Sequence, residues 1–269
     1  MPELPEVETV RRGLHRHLKG RRIDSVLILK SGRETPKGQK FVKSILHKKI
    51  NDVERRVKLI VIKFEDGNCL IAHLKMTGRF VITYKNFKPQ KHDAVIFGIG
   101  DKFLVWSDVR KFGYLRYVSS QELEKIIAGY GVEPLEVTSK ELADTLKNSK
   151  TRKVKVALLD QTRIAGIGNI YADESLYRAG IRPTRQLGGL TKKEREKLAQ
   201  EIQKLLKEAI AHGGTSINDY VDSSGKPGGF AGLLKVYGRN NEPCRVCGSK
   251  IKRIVLAGRG THHCPKCQR

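Results

Sequence analysis

The chain opens with MPELPEVETV, which puts a proline at position 2 and a glutamate directly after it. Once Met1 is removed, which a small second residue permits, Pro2 carries a secondary amine at the chain terminus. An α-amino group has a pKa of about 7.7–8.0, so roughly a tenth of it is neutral near pH 7, whereas a lysine stays protonated. A neutral amine can attack an aldehyde-like carbon and form a cationic iminium, with Glu3 moving protons. For this stretch by itself, the start of a helix is the simpler interpretation.

Four cysteines near the end of the chain have the spacing of a metal site. They form two Cys-x-x-Cys pairs separated by sixteen residues, namely Cys244 with Cys247 and Cys264 with Cys267. Each pair can place two thiolates on one tight turn, and Zn²⁺ takes four such ligands tetrahedrally. His262 and His263 could substitute, but the set is complete without them, so we expect one structural zinc ion. The fifth cysteine, Cys69, lies in an alternating apolar run and is predicted to be a buried thiol.

The charge balance predicts a polyanionic partner. Lysine and arginine number 53 against 28 aspartates and glutamates, which gives a net charge of +25 and a pI of about 10.0. A soluble surface that is merely highly charged is the alternative. No stretch approaches the roughly 20 apolar residues that a membrane span needs, and no positive-then-apolar leader opens the chain. We therefore expect a cytoplasmic protein.

The cysteine module is itself basic. Its cationic residues are Arg245, Lys250, Lys252, Arg253, Arg259 and Lys266. A zinc-held hairpin that carries them could contact nucleic acid. Alternatively, the module only stabilises the end of the chain.

Apolar periodicity divides the chain into parts of different structure. Residues 6–19 are predicted to be a helix with Pro5 in its first turn and an apolar stripe along one side. Short β runs from about 23 to 118 predict a sandwich or a barrel. Helical patterns follow, and Thr191 with Glu194 predicts a capping box before a long helix that ends at HGG. The Gly- and Ser-rich residues 214–235 are predicted to be a loop.

A glycine-rich turn, GIGN at 166–169, separates two of the predicted helices. A glycine turn that leads into a helix start presents backbone N–H groups, which suit a phosphate, and Asn169 could add a side-chain donor. The motif is weak by itself, since many such turns only join helices.

Taken together in this order, the motifs resemble the formamidopyrimidine-DNA glycosylase family over essentially the whole chain. The resemblance is carried by PELPEVETVRRGL at 2–14, HLKMTG at 73–78, KHD at 91–93, DVRKFG at 108–113, DQTRIAGIGNIYADE at 160–174, VYGR at 236–239 and CRVC…GRGTHHCPKCQ at 244–268. It implies an α+β multidomain fold with an N-terminal β-sandwich and N-terminal helix, a helical helix–two-turn–helix domain and a zinc finger with four cysteine ligands.

The resemblance also implies domain bounds, a partner and an activity. We expect a catalytic sandwich over 1–130, a DNA-binding helical domain with a lesion-covering loop over 131–235, and a zinc finger over 236–269. The expected protein is a monomer of bacterial type that binds double-stranded DNA containing oxidised bases or abasic sites. It would flip the damaged nucleotide out of the duplex, remove the oxidised purine through a Pro2 Schiff base, and cut the strand by β,δ-elimination.

Site residues follow from the same resemblance. The implied catalytic residues are Pro2, Glu3, Lys58 and Arg259. The implied DNA contacts are His73, His92, Arg110, Lys150, Asn169 and Tyr237. The residues expected to fill the vacated stack are Met76, Arg110 and Phe112, of which the apolar two would otherwise be interpreted as core. The loop 216–230 would cover the flipped purine, largely through its backbone amides.

The chain departs from the family pattern at three positions. Val57 and Lys75 stand where glycine is usual, and Lys111 stands where a second arginine is common. The two lysines keep or add positive charge, so binding should survive. Val57 could shift the hairpin that presents Lys58.

Other functions explain parts of the sequence. An endonuclease VIII-type glycosylase for oxidised pyrimidines is the nearest rival, but its opening usually departs from PELPEVETV and it commonly lacks the long loop. A non-catalytic zinc-ribbon DNA-binding protein would explain the charge and the cysteines, and would form no covalent intermediate. A basic RNA-binding or ribosome-associated protein would leave Pro2 and Glu3 unexplained.

Overall fold

The computed structural model describes residues 1–30, 38–84, 86–147 and 151–269. They form two compact units. The sheet unit comprises Met1–Ala128 and His212–Gly229, and the helix unit comprises Gly129–Ala211 and Phe230–Arg269. The segment 212–229 therefore packs with the N-terminal part of the chain. The three-part domain division given above remains a prediction, because packing units need not coincide with domains.

Helix α1, Leu4–Leu18, confirms the predicted N-terminal helix and begins two residues earlier than expected. Glu3 and Glu6 form a capping box at its start, and Pro5 lies in the first turn, where its missing N–H costs nothing. The helix buries an apolar stripe at helical spacing: Val7, Val10, Leu14 and Leu18.

The sheet unit contains two antiparallel four-stranded sheets. The first has the order β1-β6-β7-β5, with β1 Ser25–Ile28, β5 Gly78–Tyr84, β6 Asp93–Ile99 and β7 Lys102–Asp108. The second has the order β2-β3-β4-β8, with β2 Ile50–Arg56, β3 Leu59–Phe64, β4 Cys69–His73 and β8 Tyr114–Val118. One core joins both sheets to α1 and includes Ile60, Leu70, Phe80, Phe97 and Trp106. The predicted sandwich is confirmed.

Three elements of the sheet unit go beyond the sequence predictions. Strand β2, INDVERR, buries only Ile50 and Val53, so it lacks the apolar run that marks the other strands. Helices α2, Gly38–Ile45, and α3, Ser120–Ala128, are short and flank the strands. Cys69 is buried in β4, as predicted.

In its described residues the helix unit contains four α-helices, two short 3-10 helices and a hairpin. The α-helices are α4 Ser139–Thr145, α5 Val154–Leu158, α6 Asn169–Ala179 and α7 Lys192–Ala211. The predicted capping box is present, since Thr191 N donates to Glu194 and Glu194 N donates to Thr191 Oγ1 at 3.2 Å. Strands β9, Lys252–Leu256, and β10, Arg259–His263, form the hairpin of the cysteine module. In the described part of the chain, no helix combines the length and apolar character that a membrane crossing requires.

Candidate active site

The residues that follow the exposed Met1 are buried and tied to the loop segment of the sheet unit. Pro2 is buried, and Glu3 is only 2% exposed. The carboxylate of Glu6 accepts a hydrogen bond from Glu3 N at 2.7 Å and another from Thr215 N at 2.8 Å. One side chain therefore connects the residue beside Pro2 to the base of the loop predicted to cover the lesion.

The same loop is anchored at further points. Tyr220 Oη lies 3.1 Å from Gly213 O and 3.2 Å from Glu6 O, so its proton is shared between two carbonyls. The Asp222 carboxylate accepts from Ser224 N and Lys226 N, which closes a tight turn within the loop. These hydrogen bonds fix the position of the loop around Tyr220 and Asp222.

Three consecutive amides of the loop are available for a ligand. Among the described residues, the backbone N–H groups of Ile217, Asn218 and Asp219 have no hydrogen-bond partner, and all three residues are exposed. Ser216 Oγ accepts a hydrogen bond from Gly228 N and donates one to Tyr220 O. These bonds fix the backbone on both sides of residues 217–219. Such a run of N–H groups suits an oxygen acceptor.

Lys58 lies in a two-residue hairpin loop between β2 and β3. Arg56 pairs with Leu59, so only Val57 and Lys58 form the turn. Val57 has a φ of 60°, in the left-handed region that costs an L-residue roughly 1–2 kcal/mol. The glycine expected from the family pattern would avoid this strain. The Lys58 side chain is 6% exposed.

His73, at the end of β4, is held as a neutral imidazole. Its Nδ1 accepts a hydrogen bond from Lys75 N at 3.0 Å, which leaves the ring proton on Nε2. Burial, together with the positive charges of Lys75 and Lys58, lowers the pKa of His73 to about 3. The ring can therefore donate one hydrogen bond from Nε2 without carrying a charge.

We expect the His73 ring to stay neutral from about pH 8 down to about pH 4.5. In an NMR titration its Cε1–H resonance should not shift in that range, while the same resonance of the urea-unfolded chain should titrate near about pH 6.5. Because the folded pKa lies below the unfolded value, the unfolded chain binds the additional proton between about pH 6.5 and 3, and stability falls as pH decreases through that window. A His73 resonance of the folded chain that titrates near pH 6.5 would contradict this protonation state.

Two loops at one end of the sandwich present the stack-filling candidates. The Asp108 carboxylate accepts from Thr77 Oγ1 at 2.5 Å and from Gly113 N at 2.7 Å, so it links the turn after β4 to the loop after β7. Met76 on the first and Phe112 on the second are 41% and 56% exposed, so much of both apolar side chains is accessible. The guanidinium of Arg110 lies over the Phe112 ring, 4.9 Å from its centre.

His92 lines a surface cavity of about 180 Å³ beside these loops. Lys30, Lys91 and Lys111 also line it, so the surroundings of His92 are strongly basic. Lys150, the remaining DNA-contact prediction for this part of the sequence, lies outside the described residues.

The helix unit brings Asn169 and the tip of the hairpin together. Gln161 closes the turn between α5 and α6, with its side chain bonded to Gly166 N, Leu159 O and Ile167 O. Asn169, the first residue of α6, donates from Nδ2 to Gly260 O at 3.0 Å. Gly260 directly follows Arg259, so Asn169 lies beside the backbone next to this predicted catalytic residue.

A buried ion pair supports this juxtaposition. Lys155 on α5 and Asp173 on α6 are 1% and 0% exposed, with 2.6 Å between Nζ and Oδ1. Lys155 Nζ also donates to Gly260 O and to Thr261 Oγ1, and Asp173 accepts from His262 N. Through these bonds the ion pair holds residues 260–262 of β10 against α6.

Replacing Lys155 by methionine is expected to destabilise the helix unit by about 3–5 kcal/mol, because Asp173 would be left as a buried charge without its cationic partner. The midpoint of urea unfolding should fall accordingly. The double variant Lys155→Met with Asp173→Asn is the matched control, and it should recover part of the loss because no bare charge remains. Equal instability of the single and double variants would show that the charge is not the cause.

Tyr237 lies on a segment held by a second buried carboxylate. Glu174, which is 0% exposed, accepts hydrogen bonds from the backbone amides of Lys235, Val236 and Tyr237 at 2.8–3.0 Å. Burial raises the pKa of Glu174, and the three amides oppose that shift. The Tyr237 ring packs edge-on against His262, with 5.1 Å between ring centres.

The four predicted metal ligands converge. The Sγ atoms of the two Cys-x-x-Cys pairs all lie within 4.8 Å of one another. Those of Cys244 and Cys267 are 3.9 Å apart, and those of Cys247 and Cys264 are 3.4 Å apart. A tetrahedral zinc ion with Zn–S bonds of about 2.3 Å requires about 3.8 Å between sulfurs, so the donor set fits one Zn²⁺. With four protein ligands the ion has a structural role only.

Sequence reasoning misses several residues that organise the site. From the sequence, neither Glu6 nor Lys155 is assigned a role in the site. A lysine whose neighbours within its helix are all apolar is the signal that could have found Lys155. Glu6 carries no such signal, because Glu3 and Thr9 lie one helical turn from it. Tyr220 offers no such signal, because its partners come from distant parts of the chain.

Family models match three parts of the chain. The formamidopyrimidine-DNA glycosylase N-terminal domain matches residues 1–115, the formamidopyrimidine-DNA glycosylase H2TH domain matches residues 130–221, and a zinc finger found in FPG and IleRS matches residues 241–269. Together they cover most of the sequence.

Known proteins are similar over the full length. A formamidopyrimidine-DNA glycosylase of Desulfitobacterium hafniense is 46% identical over 273 residues, covering 100% of both chains. A mutant of Lactococcus lactis FPG, solved with DNA containing Fapy-dG, has a TM-score of 0.91 and 36% identity, with 100% of both chains covered. The complex of Lactococcus lactis Fpg with DNA containing an abasic site has a TM-score of 0.90 and 35% identity, with 99% of both chains covered.

Proposed function

Because the chain belongs to the formamidopyrimidine-DNA glycosylase family, we propose that it excises oxidised purines, 8-oxoguanine and formamidopyrimidines, from double-stranded DNA through a covalent bond to Pro2. As a member of this family it is a DNA glycosylase of base-excision repair, and its partner is DNA. The observation that carries the finer proposal is the Glu6 carboxylate, which joins the residue beside Pro2 to the base of the loop.

Base removal begins with the amine of Pro2, once Met1 has been cleaved. The nitrogen attacks C1′ of the flipped nucleotide, the bond from C1′ to the base breaks, and the sugar ring opens to a Schiff base on Pro2. Glu3 supplies and accepts the protons of these steps. Its burial beside Pro2 supports this role, since water is excluded from the carboxylate.

Strand cleavage follows from the same intermediate. The iminium draws electrons from the sugar, so loss of a proton from C2′ expels the 3′ phosphate by β-elimination, and δ-elimination then expels the 5′ phosphate. Lys58 is the proposed proton donor for β-elimination, and Arg259 is proposed for δ-elimination and phosphate binding. The two-residue turn that presents Lys58 supports a fixed position for its side chain.

The DNA contacts are divided between phosphate binding and replacement of the flipped base. We assign His73, His92, Asn169 and Tyr237 to the backbone, together with Lys150. Met76, Arg110 and Phe112 would occupy the gap in the stack, where an apolar wedge and a guanidinium restore part of the lost stacking energy. The exposure of Met76 and Phe112, 41% and 56%, supports this assignment, because much of both apolar side chains is open to a partner.

The loop amides support a lesion base that carries an exocyclic oxygen. The N–H groups of Ile217, Asn218 and Asp219 can donate to such an acceptor, while Glu6 and Tyr220 keep the loop base in place. The proposal is tested by single-turnover excision from matched duplexes that contain 8-oxoguanine or thymine glycol. Faster release of 8-oxoguanine by at least tenfold is expected. Preference for thymine glycol would instead assign the chain to the pyrimidine-specific activity.

A further inference from the structure

The strained turn that carries Lys58 is held from inside by Arg55. Arg55 Nη1 donates a hydrogen bond to Val57 O at 2.9 Å. This bond joins the end of β2 to the turn. The Arg55 side chain is 7% exposed, so the bond is shielded from competing water. The hydrogen bond fixes the peptide group between Val57 and Lys58. Val57 has a φ of 60°, which a β-branched residue disfavours.

Arg55 is in turn held by the helix that begins at the catalytic terminus. Arg55 Nε lies 3.2 Å from Glu8 Oε2, and the Glu8 side chain is 12% exposed. Burial acts to raise the pKa of Glu8, but hydrogen bonds from Arg11 and Arg12 and the charge of Arg55 outweigh it and lower the pKa. Glu8 is therefore an anion at neutral pH and can hold Arg55 by charge as well as by hydrogen bonding.

These contacts form one continuous path within the sheet unit. The path runs from α1, which follows Pro2 and Glu3, through Glu8 and Arg55 to the Val57 carbonyl and so to Lys58. The path therefore supports a turn that its own sequence disfavours, since valine lacks the freedom of glycine at positive φ.

We propose that Glu8 and Arg55 are positioning residues that set the place of Lys58 relative to Pro2 for the elimination step. The inference rests on the proposed function. It assigns no contact with DNA to either residue. It also explains how this chain tolerates Val57 at a position where its relatives are expected to carry glycine.

The test separates elimination from covalent attachment. With DNA carrying a preformed abasic site, Arg55→Met should slow single-turnover strand cleavage by about 10- to 100-fold. The rate of borohydride-trapped adduct formation should stay within about twofold, because Pro2 is not moved. The variant should fold, since Glu8 keeps Arg11 and Arg12 as partners. If it does not, Glu8→Gln carries the same test, because it weakens the bridge while leaving Arg55 bonded to Val57 O.

Rescue distinguishes positioning from general destabilisation. Adding Val57→Gly to either variant should restore most of the cleavage rate, because glycine adopts the turn without the clamp. Val57 is buried, so thermal unfolding is followed in parallel. The matched control is Arg12→Met, which removes another Glu8 partner that is 58% exposed and does not reach the turn, and it should cleave at the parental rate.

Two results would overturn the inference. One is parental cleavage by Arg55→Met. The other is a joint fall of cleavage and adduct formation that Val57→Gly does not restore, which would reduce the pair to a fold-stabilising contact. If the parental chain itself gives no trapped adduct, the proposed function fails instead, so the two failures are distinguishable.

Discussion

Replacing Glu3 by glutamine is expected to slow the release of 8-oxoguanine by about 10³-fold, with the fold retained. General acid–base catalysis contributes about 10²–10⁴-fold, and glutamine cannot transfer a proton. The substitution is structurally mild, because the glutamine side chain keeps an acceptor oxygen for the capping box at the start of α1. Cleavage at a preformed abasic site should fall less, since no base has to leave.

Single-turnover excision and thermal unfolding measure the effect of Glu3→Gln. The matched control is Glu124→Gln on α3, an exposed glutamate in the same unit, which should excise the base at the parental rate. Base release by Glu3→Gln within tenfold of the parental rate would remove Glu3 from the mechanism.

Removing one zinc ligand has the second large expected effect. Cys264→Ser should lower DNA affinity by at least about 100-fold and reduce bound zinc from one per chain to near zero. Cys264 is 0% exposed and belongs to the small core of the module with Val236 and Ile251, so metal loss opens that core. A structural zinc site contributes directly to folding free energy. The Arg259 tip would then lose its support.

Zinc content, measured by metal analysis, and duplex affinity, measured at fixed salt, test this prediction together. Cys69→Ser is the matched control, since the fifth cysteine lies in β4 and far from the module in sequence. That control should keep one zinc ion and parental affinity. A Cys264→Ser chain that binds DNA normally would show that the module does not contribute to the interface.

The parts of the fold that local sequence encodes are predictable. Helix α1, the strand runs and the Thr191 capping box follow from periodicity and end signals, and the two Cys-x-x-Cys pairs predict the metal ligands that the structure brings together. The site residues named from the family resemblance remain predictions, although the structure shows what surrounds most of them.

Long-range pairing cannot be predicted in this way. Glu6 meets Thr215, and Lys155 meets Thr261, across separations that no periodicity records. Burial of these charges is decided by tertiary packing, because a carboxylate or ammonium group is tolerated inside only where a partner is supplied.

The departures from the family pattern share one structural feature. Val57, Lys75 and Lys111 have φ values of 60°, 50° and 57°, so each occupies left-handed backbone. Two of the three are positions where the family pattern is expected to carry glycine, which has no penalty there. Sequence comparison can mark such a position, but only the backbone shows why glycine is used.

The most direct test of catalysis by Pro2 is borohydride reduction during reaction with a duplex that carries an abasic site, followed by mass spectrometry of the cross-linked peptide. The mature chain, with Met1 removed and zinc bound, should give an adduct attached through the nitrogen of Pro2. A chain that retains Met1 should give none, because its Pro2 nitrogen is an amide. An adduct on a lysine instead of Pro2, or no adduct with the mature chain, would contradict the mechanism.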